Sequence, residues 1–416
     1  MRTFLLVWFG QLISTIGSYM TEFALILWAW NLTGSTTALA LVGFFSQLPR
    51  IPITLFAGVV VDRYSRKRLM ILGDSIAALS TLGIALLYTT DTLQIWHLYL
   101  AAALNGGFGQ IQSLAYQASV SLLVPRSQLT RANSLLASVH YGSAILGPAL
   151  AGLLYPLIGL LGILWLDLMT FGGAIALLLT CSIPQPPSQP NTQQEPLFSQ
   201  LTFGFRYVWQ KPGLRSLLHM TALFWFFHDL GSAIYDPMIL ARTNGSAQAL
   251  ASTGAAAGIG GVTGAIVLSV WGGPKQRVQG LLASFIGAGL SKTVFGLGRS
   301  LQVWIPAQFC SSLNFPLLGS SENALWMESI PAAIQGRVFA ANSLTIQSVS
   351  ALGILLAGPL ADQLLEPAMM THQLPGFGSG AGAGMAVLYT ACALAMVLVG
   401  IGGFLLLGPK LREFDD

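Results

Sequence analysis

The sequence predicts an all-α membrane protein of twelve transmembrane helices in two six-helix bundles. Three observations carry that expectation. Of 416 residues, 54% are hydrophobic and only 8% are charged, with a mean hydropathy of +0.68; soluble domains carry roughly 25% charge. Apolar runs long enough to cross a bilayer recur along the whole chain, each needing about 20 residues. A single hydrophilic break separates the first six runs from the last six.

The runs fall at about 4–30, 37–61, 69–90, 96–124, 132–158 and 160–182, then 215–241, 249–271, 278–297, 300–329, 334–362 and 384–407. The first is read as a retained helix, because no A-x-A-like cleavage site follows it. The break at 183–214 opens on Pro184, Pro186, Pro187 and Pro190 and is Gln-rich, a composition suited to a linker. Its second part, Phe198 to Trp209, suits a short amphipathic surface helix. The expected domains are therefore 1–182, a cytoplasmic linker 183–214, and 215–416.

The net charge of +4 and pI near 9.0 would suit a nucleic-acid partner, but the basic residues lie in loops between spans. With both termini cytoplasmic, 15 of the 19 Lys and Arg residues fall on the inner side, and only Arg242 and Arg299 lie in outer loops. That bias is the positive-inside pattern, and it places both termini in the cytoplasm and the chain in the plasma membrane. The three cysteines, Cys181, Cys310 and Cys392, sit in apolar stretches without ligand spacing and read as buried small hydrophobes. No HExxH, GxSxG or Walker loop occurs, and the five histidines form no metal constellation. Neither an enzyme, a cofactor, a metal nor ATP-driven pumping is expected.

The halves repeat weakly. Pro125 to Leu135 parallels Pro331 to Leu344, and Gly142-x4-Gly147-Pro148 parallels Gly353-x4-Gly358-Pro359. A duplicated six-helix bundle is a transporter signature.

The loop after the second span, Gly58-Val-Val-Val-Asp62-Arg63-Tyr-Ser-Arg66-Lys67, resembles the G-x-x-x-D-R-x-G-R-[KR] motif of the major facilitator superfamily. Ser65 replaces its second glycine, and in the second half the motif has decayed to Trp271-Gly-Gly-Pro-Lys-Gln-Arg277, without the acid. Gly10 to Ser18, Leu32 to Ser35, Leu166-Asp167-Leu-Met-Thr-Phe171 and Gln335 to Phe339 resemble the exporter branch that holds enterobactin exporters and macrolide efflux proteins.

The resemblance implies a secondary transporter exporting a small amphipathic compound, drug-like or a siderophore, by proton antiport with alternating access, and acting as a monomer. A proton-coupled importer or a non-transporting receptor is the alternative. It also implies a gate: Asp62 docks on the N-terminus of the eleventh span, where the helix dipole favours an anion. Arg66 pairs with Asp62, while Arg63 and Lys67 reach headgroups or acids such as Asp74 or Glu328. A topology signal alone would account for the basic residues but needs no aspartate.

Glu22, Arg50, Asp229, Lys292 and Glu322 lie within drawn spans. At roughly 2.5–3.5 kcal/mol for each lipid-facing charge near mid-membrane, most must face the bundle interior, water or one another. Glu22 and Asp229 read either as proton carriers or as members of a static ion pair with Arg50, and Arg50 either as structural or as a substrate-anion contact. Glu322 occupies the position in the tenth span that Tyr116 holds in the fourth, so both are cavity candidates, as are Gln110 and Gln117, seven apart on one face. Lys292 is expected to snorkel to the interface. The aromatic run Phe224-Trp-Phe-Phe227 either stacks on a ligand or packs in the core. Gly142, Gly147, Pro148 and Gly152 resemble the family's antiporter motif G-x-x-x-G-P-x-x-G-G, with one extra residue in the first gap and Ala151 in place of a glycine.

Overall fold

A computed structural model describes residues 2–125, 128–183, 197–331, 334–371 and 374–407, all helix, turn or bend, with no strand among the described residues. The helices are α1 (Arg2–Thr33), α2 (Thr36–Gln47), α3 (Arg50–Arg63), α4 (Arg66–Thr89), α5 (Ile95–Leu123), α6 (Leu129–Thr180), α7 (Leu197–Gln210), α8 (Pro212–Arg242), α9 (Ala247–Trp271), α10 (Arg277–Leu297), α11 (Leu301–Leu313), α12 (Phe315–Ser329), α13 (Gln335–Pro359), α14 (Glu366–Thr371) and α15 (Ala383–Gly402).

The departures from one helix per span have local causes. The second span divides into α2 and α3 at Leu48-Pro49, where proline lacks the N–H that would continue the ladder. The fifth and sixth spans run together as α6 across a kink at Gly159, whose φ of 65° breaks the helix into two arms. The tenth divides into α11 and α12 at Asn314, ahead of Pro316. After Pro359 the eleventh widens into a π-helical turn, Leu360–Leu365. Eight stretches are long and apolar enough by composition to cross a membrane. α5 and α8 have the length, 29 and 31 residues, but carry several polar side chains along it.

Contacts divide the chain into two units. Unit 1 is Met1–Gly34 with Leu41–Thr192, and unit 2 is Ser35–Ala40 with Gln193–Asp416. In unit 1, α1 lies against α6 and α4 against α5. One apolar cluster gathers Val7, Val61, Met70, Ala115, Leu178 and Cys181, and the Trp8 indole donates to the Leu135 carbonyl at 2.7 Å. In unit 2, α10 packs on α15, and α8 on α13 and α15. Its core runs through Phe224, Phe285, Leu318, Trp326 and Val338.

The loops of unit 2 are held by side-chain caps. Arg242 donates to the carbonyls of Gly298, Phe377 and Gly382 at 2.7, 2.8 and 3.3 Å. Asp362 accepts from the backbone N–H groups of Thr36 and Thr37 at 3.1 and 2.8 Å and from the Ser35 hydroxyl at 2.8 Å, an anion on the N-terminus of α2. Cys181 and Cys392 are buried, but Cys310 is exposed on α11. The expectation for Cys310 is thus corrected, since an apolar stretch of a membrane helix has an outward face as well as a buried one.

Candidate functional site

Unit 1 carries a buried polar seam between α1, α4, α5 and the second arm of α6. At one end, Gln11 Nε2 donates to Asp74 Oδ2 at 2.9 Å, and Gln112 Nε2 donates to Asp74 Oδ1 at 3.3 Å and to Gln11 Oε1 at 2.7 Å. Further along, Asp167 is 1% exposed. Its Oδ2 accepts from the hydroxyls of Thr21 at 2.9 Å and Thr81 at 3.2 Å, while Oδ1 is buried with no hydrogen-bond partner. Backbones come close here because Gly17 has no side chain: a Cβ there would stand 2.8 Å from Asp167 Oδ1 and 3.3 Å from Asp167 Cα. Asp74, expected only as a partner for Arg63 or Lys67, and Asp167, known only from a family-like string, both lie inside drawn spans and add to the five in-membrane charges named from the sequence. The signal was available, since Asp167 is the one ionisable residue in Leu166 to Phe171.

Glu22, one residue beyond Thr21, is exposed on unit 1 although it lies within α1. Arg50, at the start of α3, is half-buried, and its Nε has no hydrogen-bond partner. The two are within electrostatic reach of one another, but no ion pair within 4 Å joins them; among the described residues the one such contact is His228 with Asp229. Tyr116 is 7% exposed and sits in the apolar cluster, with its hydroxyl buried and unpartnered. Gln110 reaches Thr54 Oγ1 at 3.4 Å, and Gln117 reaches Ser113 Oγ at 3.3 Å. The structure thus puts Tyr116, Gln110 and Gln117 in separate surroundings.

Of the loop motif, the surroundings of Gly58 and the side chains of Asp62 and Arg63 lie outside what the structure describes. Arg66 Nη1 donates to the Ala118 carbonyl at 2.6 Å. Lys67 Nζ donates to the carbonyls of Leu179 and Cys181 at 2.9 and 2.7 Å. In place of headgroups or acids, Lys67 meets the carboxyl end of a helix, where orphan carbonyls favour a cation. In the antiporter-like stretch, a Cβ on Gly147 would collide with Tyr19 Cβ on α1, whereas Gly142 has open space among the described residues. Pro148 lies inside the helix, and Gly152 is half-buried.

In unit 2, Asp229 Oδ1 pairs with His228 Nδ1 at 2.9 Å, and its other oxygen accepts from the Ser350 hydroxyl. Lys292 is 7% exposed. Its Nζ donates to the Tyr389 hydroxyl at 3.4 Å and stands 5.3 Å from the centre of that ring. Lys292 therefore does not snorkel: its face of α10 turns to α15 and the unit's interior, and Asp229 and His228 feel its charge. Glu322 takes a hydrogen bond from the Trp225 side chain. Within the aromatic run, Phe224 is fully buried and stacked 4.1 Å from Phe285. Trp225 and Phe315 each stand 5.1 Å edge-on to the His228 ring.

Known proteins resemble this chain over most of its length. Over 368 residues, covering 87% of this chain and 90% of the relative, it is 28% identical to a macrolide efflux protein A of Streptococcus pyogenes. Over 422 residues, covering 99% and 97%, it is 25% identical to the multidrug efflux pump Tap of Mycolicibacterium fortuitum. Its fold matches a POT family transporter in complex with 5-aminolevulinic acid (TM-score 0.75, 13% identity, 99% and 96% coverage). It also matches a bacterial homologue of the iron transporter ferroportin (TM-score 0.72, 15% identity, 100% and 99% coverage). The model of the Major Facilitator Superfamily matches residues 7–354. The chain belongs to that superfamily and is a multi-pass membrane transporter, not an enzyme.

Proposed function

We propose that the protein exports a small amphipathic compound, macrolide-like in size and polarity, across the plasma membrane by proton antiport with alternating access. The observation that carries the direction is likeness over nearly the whole chain to relatives named as efflux proteins. Proton coupling rests on the ionisable side chains that both units keep inside otherwise apolar helices, since such residues are costly in lipid and mark proton and substrate routes.

In this reading Glu22, exposed on a membrane helix, faces an aqueous route rather than acyl chains, and Arg50 sets the charge around it. Asp229, held between His228 and Ser350, is the coupling candidate of unit 2. Glu322 with Trp225, and Tyr116, Gln110 and Gln117, belong to the substrate route or its walls. Gly58, Asp62, Arg63, Arg66 and Lys67 form the cytoplasmic gate, with both termini on that side. Domains 1–182 and 215–416 move about the linker 183–214, and one chain suffices.

The reading is tested in a strain lacking other efflux pumps. Cells making the protein accumulate less radiolabelled erythromycin than cells without it, and an uncoupler abolishes the difference. Equal accumulation with and without the protein, or a difference that survives the uncoupler, would sink it.

A further inference from the structure

Asp167 is the most deeply buried of the acids described above, and nothing in the proposed cycle uses it. Two helices give it hydroxyls, Thr21 from α1 and Thr81 from α4, both on Oδ2. Ser18 on α1 brings a third hydroxyl to the carboxyl, one it shares with the Ser14 carbonyl at 3.2 Å. Oδ1 faces the α1 backbone at Gly17 without a donor. An ionised carboxylate offers about four acceptor positions, and here one oxygen's share is empty.

Among the described residues no cation lies within 4 Å of Asp167. Among the described side chains, the helices packed around it carry Tyr19 and Glu22 on α1, Arg66, Lys67, Arg68, Asp74 and Tyr88 on α4 and Tyr155 on α6, with Arg50 of α3 near Glu22. A bare anion in this place is expensive, and a permanent anion is normally given a cation or backbone N–H groups. Hydroxyls differ from both, because each can donate to a carboxylate or turn and accept from a carboxylic acid. The Thr21 and Thr81 pair therefore suits both protonation states without rebuilding the helices.

We infer that Asp167 is a proton-binding carboxyl of unit 1, lying behind the exposed Glu22 and exchanging a proton once in each transport cycle. The inference rests on the proton-antiport reading. On loading, hydronium gives a proton to a carboxyl oxygen; one O–H bond forms, one breaks, and water leaves. On release the same bond breaks toward water, and no electron changes hands. Because the carboxyl joins α1, α4 and the second arm of α6, a change in its charge alters how firmly those three helices are held, which is what coupling to a conformational step requires.

The test uses the full-length protein in liposomes with radiolabelled erythromycin. Asp167→Asn keeps the shape and most hydrogen bonds but cannot exchange a proton. Uptake driven by an imposed pH gradient is expected to fall to the level of protein-free liposomes, while exchange of erythromycin at equal concentrations on both sides persists. Gradient-driven uptake equal to that of the unsubstituted protein would overturn the inference, and so would parallel loss of exchange, which marks a purely structural clamp. No gradient-driven uptake by the unsubstituted protein would overturn the antiport reading and this inference with it. If Asp167→Asn fails to fold, pH-difference infrared spectra of Thr81→Val decide. A protonated-carboxyl band that moves when the Thr81 hydroxyl is removed supports the assignment, and an unmoved band refutes it.

Discussion

Replacing Gly147 and Gly142 one at a time with alanine separates packing from helix propensity inside a single stretch of sequence. Both lie in the first arm of α6. A Cβ on Gly147 runs into Tyr19 Cβ and comes within 3.2 Å of the Tyr19 carbonyl carbon and 3.3 Å of the Ile16 carbonyl oxygen. None of these is the far end of a flexible side chain, so α1 and α6 must part. Such overpacking costs about 1–3 kcal/mol. Glycine to alanine within a helix returns about 1 kcal/mol at either position. Gly142→Ala, with open space around it among the described residues, is therefore neutral or stabilising, and Gly147→Ala is neutral to about 2 kcal/mol destabilising. The propensity gain cancels between the two variants, leaving the packing term alone. For a soluble domain of similar size, 1–3 kcal/mol corresponds to a melting difference of about 2–12 °C. Thermal unfolding of the two purified variants in one detergent reads that difference. Coincident melting curves would refute the claim that Gly147 is where α1 and α6 touch.

Three further outcomes are expected. Asp62→Asn reaches the membrane at normal levels but does not export, as membrane immunoblots and accumulation assays would show; normal export would remove the acid from the gate. Lys292→Met replaces a buried ammonium whose described direct partner is a tyrosine hydroxyl, so thermal stability rises by about 1 kcal/mol or more while gradient-driven uptake is lost. A less stable but active variant would contradict that reading. Arg242→Met strips a cation from three loop carbonyls and lowers stability by about 2–3 kcal/mol, seen as earlier melting and faster proteolysis of the 374–382 segment.

The span plan was legible because membrane length and loop charge are local properties. The breaks at Pro49 and Gly159 are local as well, and so is α7, expected at Phe198 to Trp209 and found at Leu197–Gln210. What could not be read was which face of a helix turns inward. Lys292 sits near the outer end of α10 in sequence, where snorkelling is the ordinary outcome, yet its face meets α15. Lys67 is expected at headgroups or acids because charge seeks charge, but it donates to the carbonyls ending the second arm of α6. Such neighbours come from tertiary contact alone. Asp167 is hidden for a different reason: Leu166 to Phe171 reads as a family-like string, which masks the cost of a charge inside a span.

The buried ionisable groups also show that the two halves have diverged where it matters. In unit 1 the third and sixth spans are joined by Thr81 and the Asp167 carboxyl. In unit 2 the corresponding spans, the ninth and twelfth, are joined by Lys292 and the Tyr389 hydroxyl, and α15 contains no acid. The same pair of helices thus carries an acid in one unit and a base in the other. Protonation acts oppositely at the two: a carboxylate becomes neutral and easier to bury, whereas an amine becomes charged and harder to bury. A proton that must ride through an apolar stage of the cycle is better held by the acid. Lys292, in the field of the nearby Asp229, is better placed to set the electrostatics of the Asp229–His228 pair than to carry the proton itself. In the antiport reading, the repeat keeps these helix pairs in contact while their buried charges divide the work between the units.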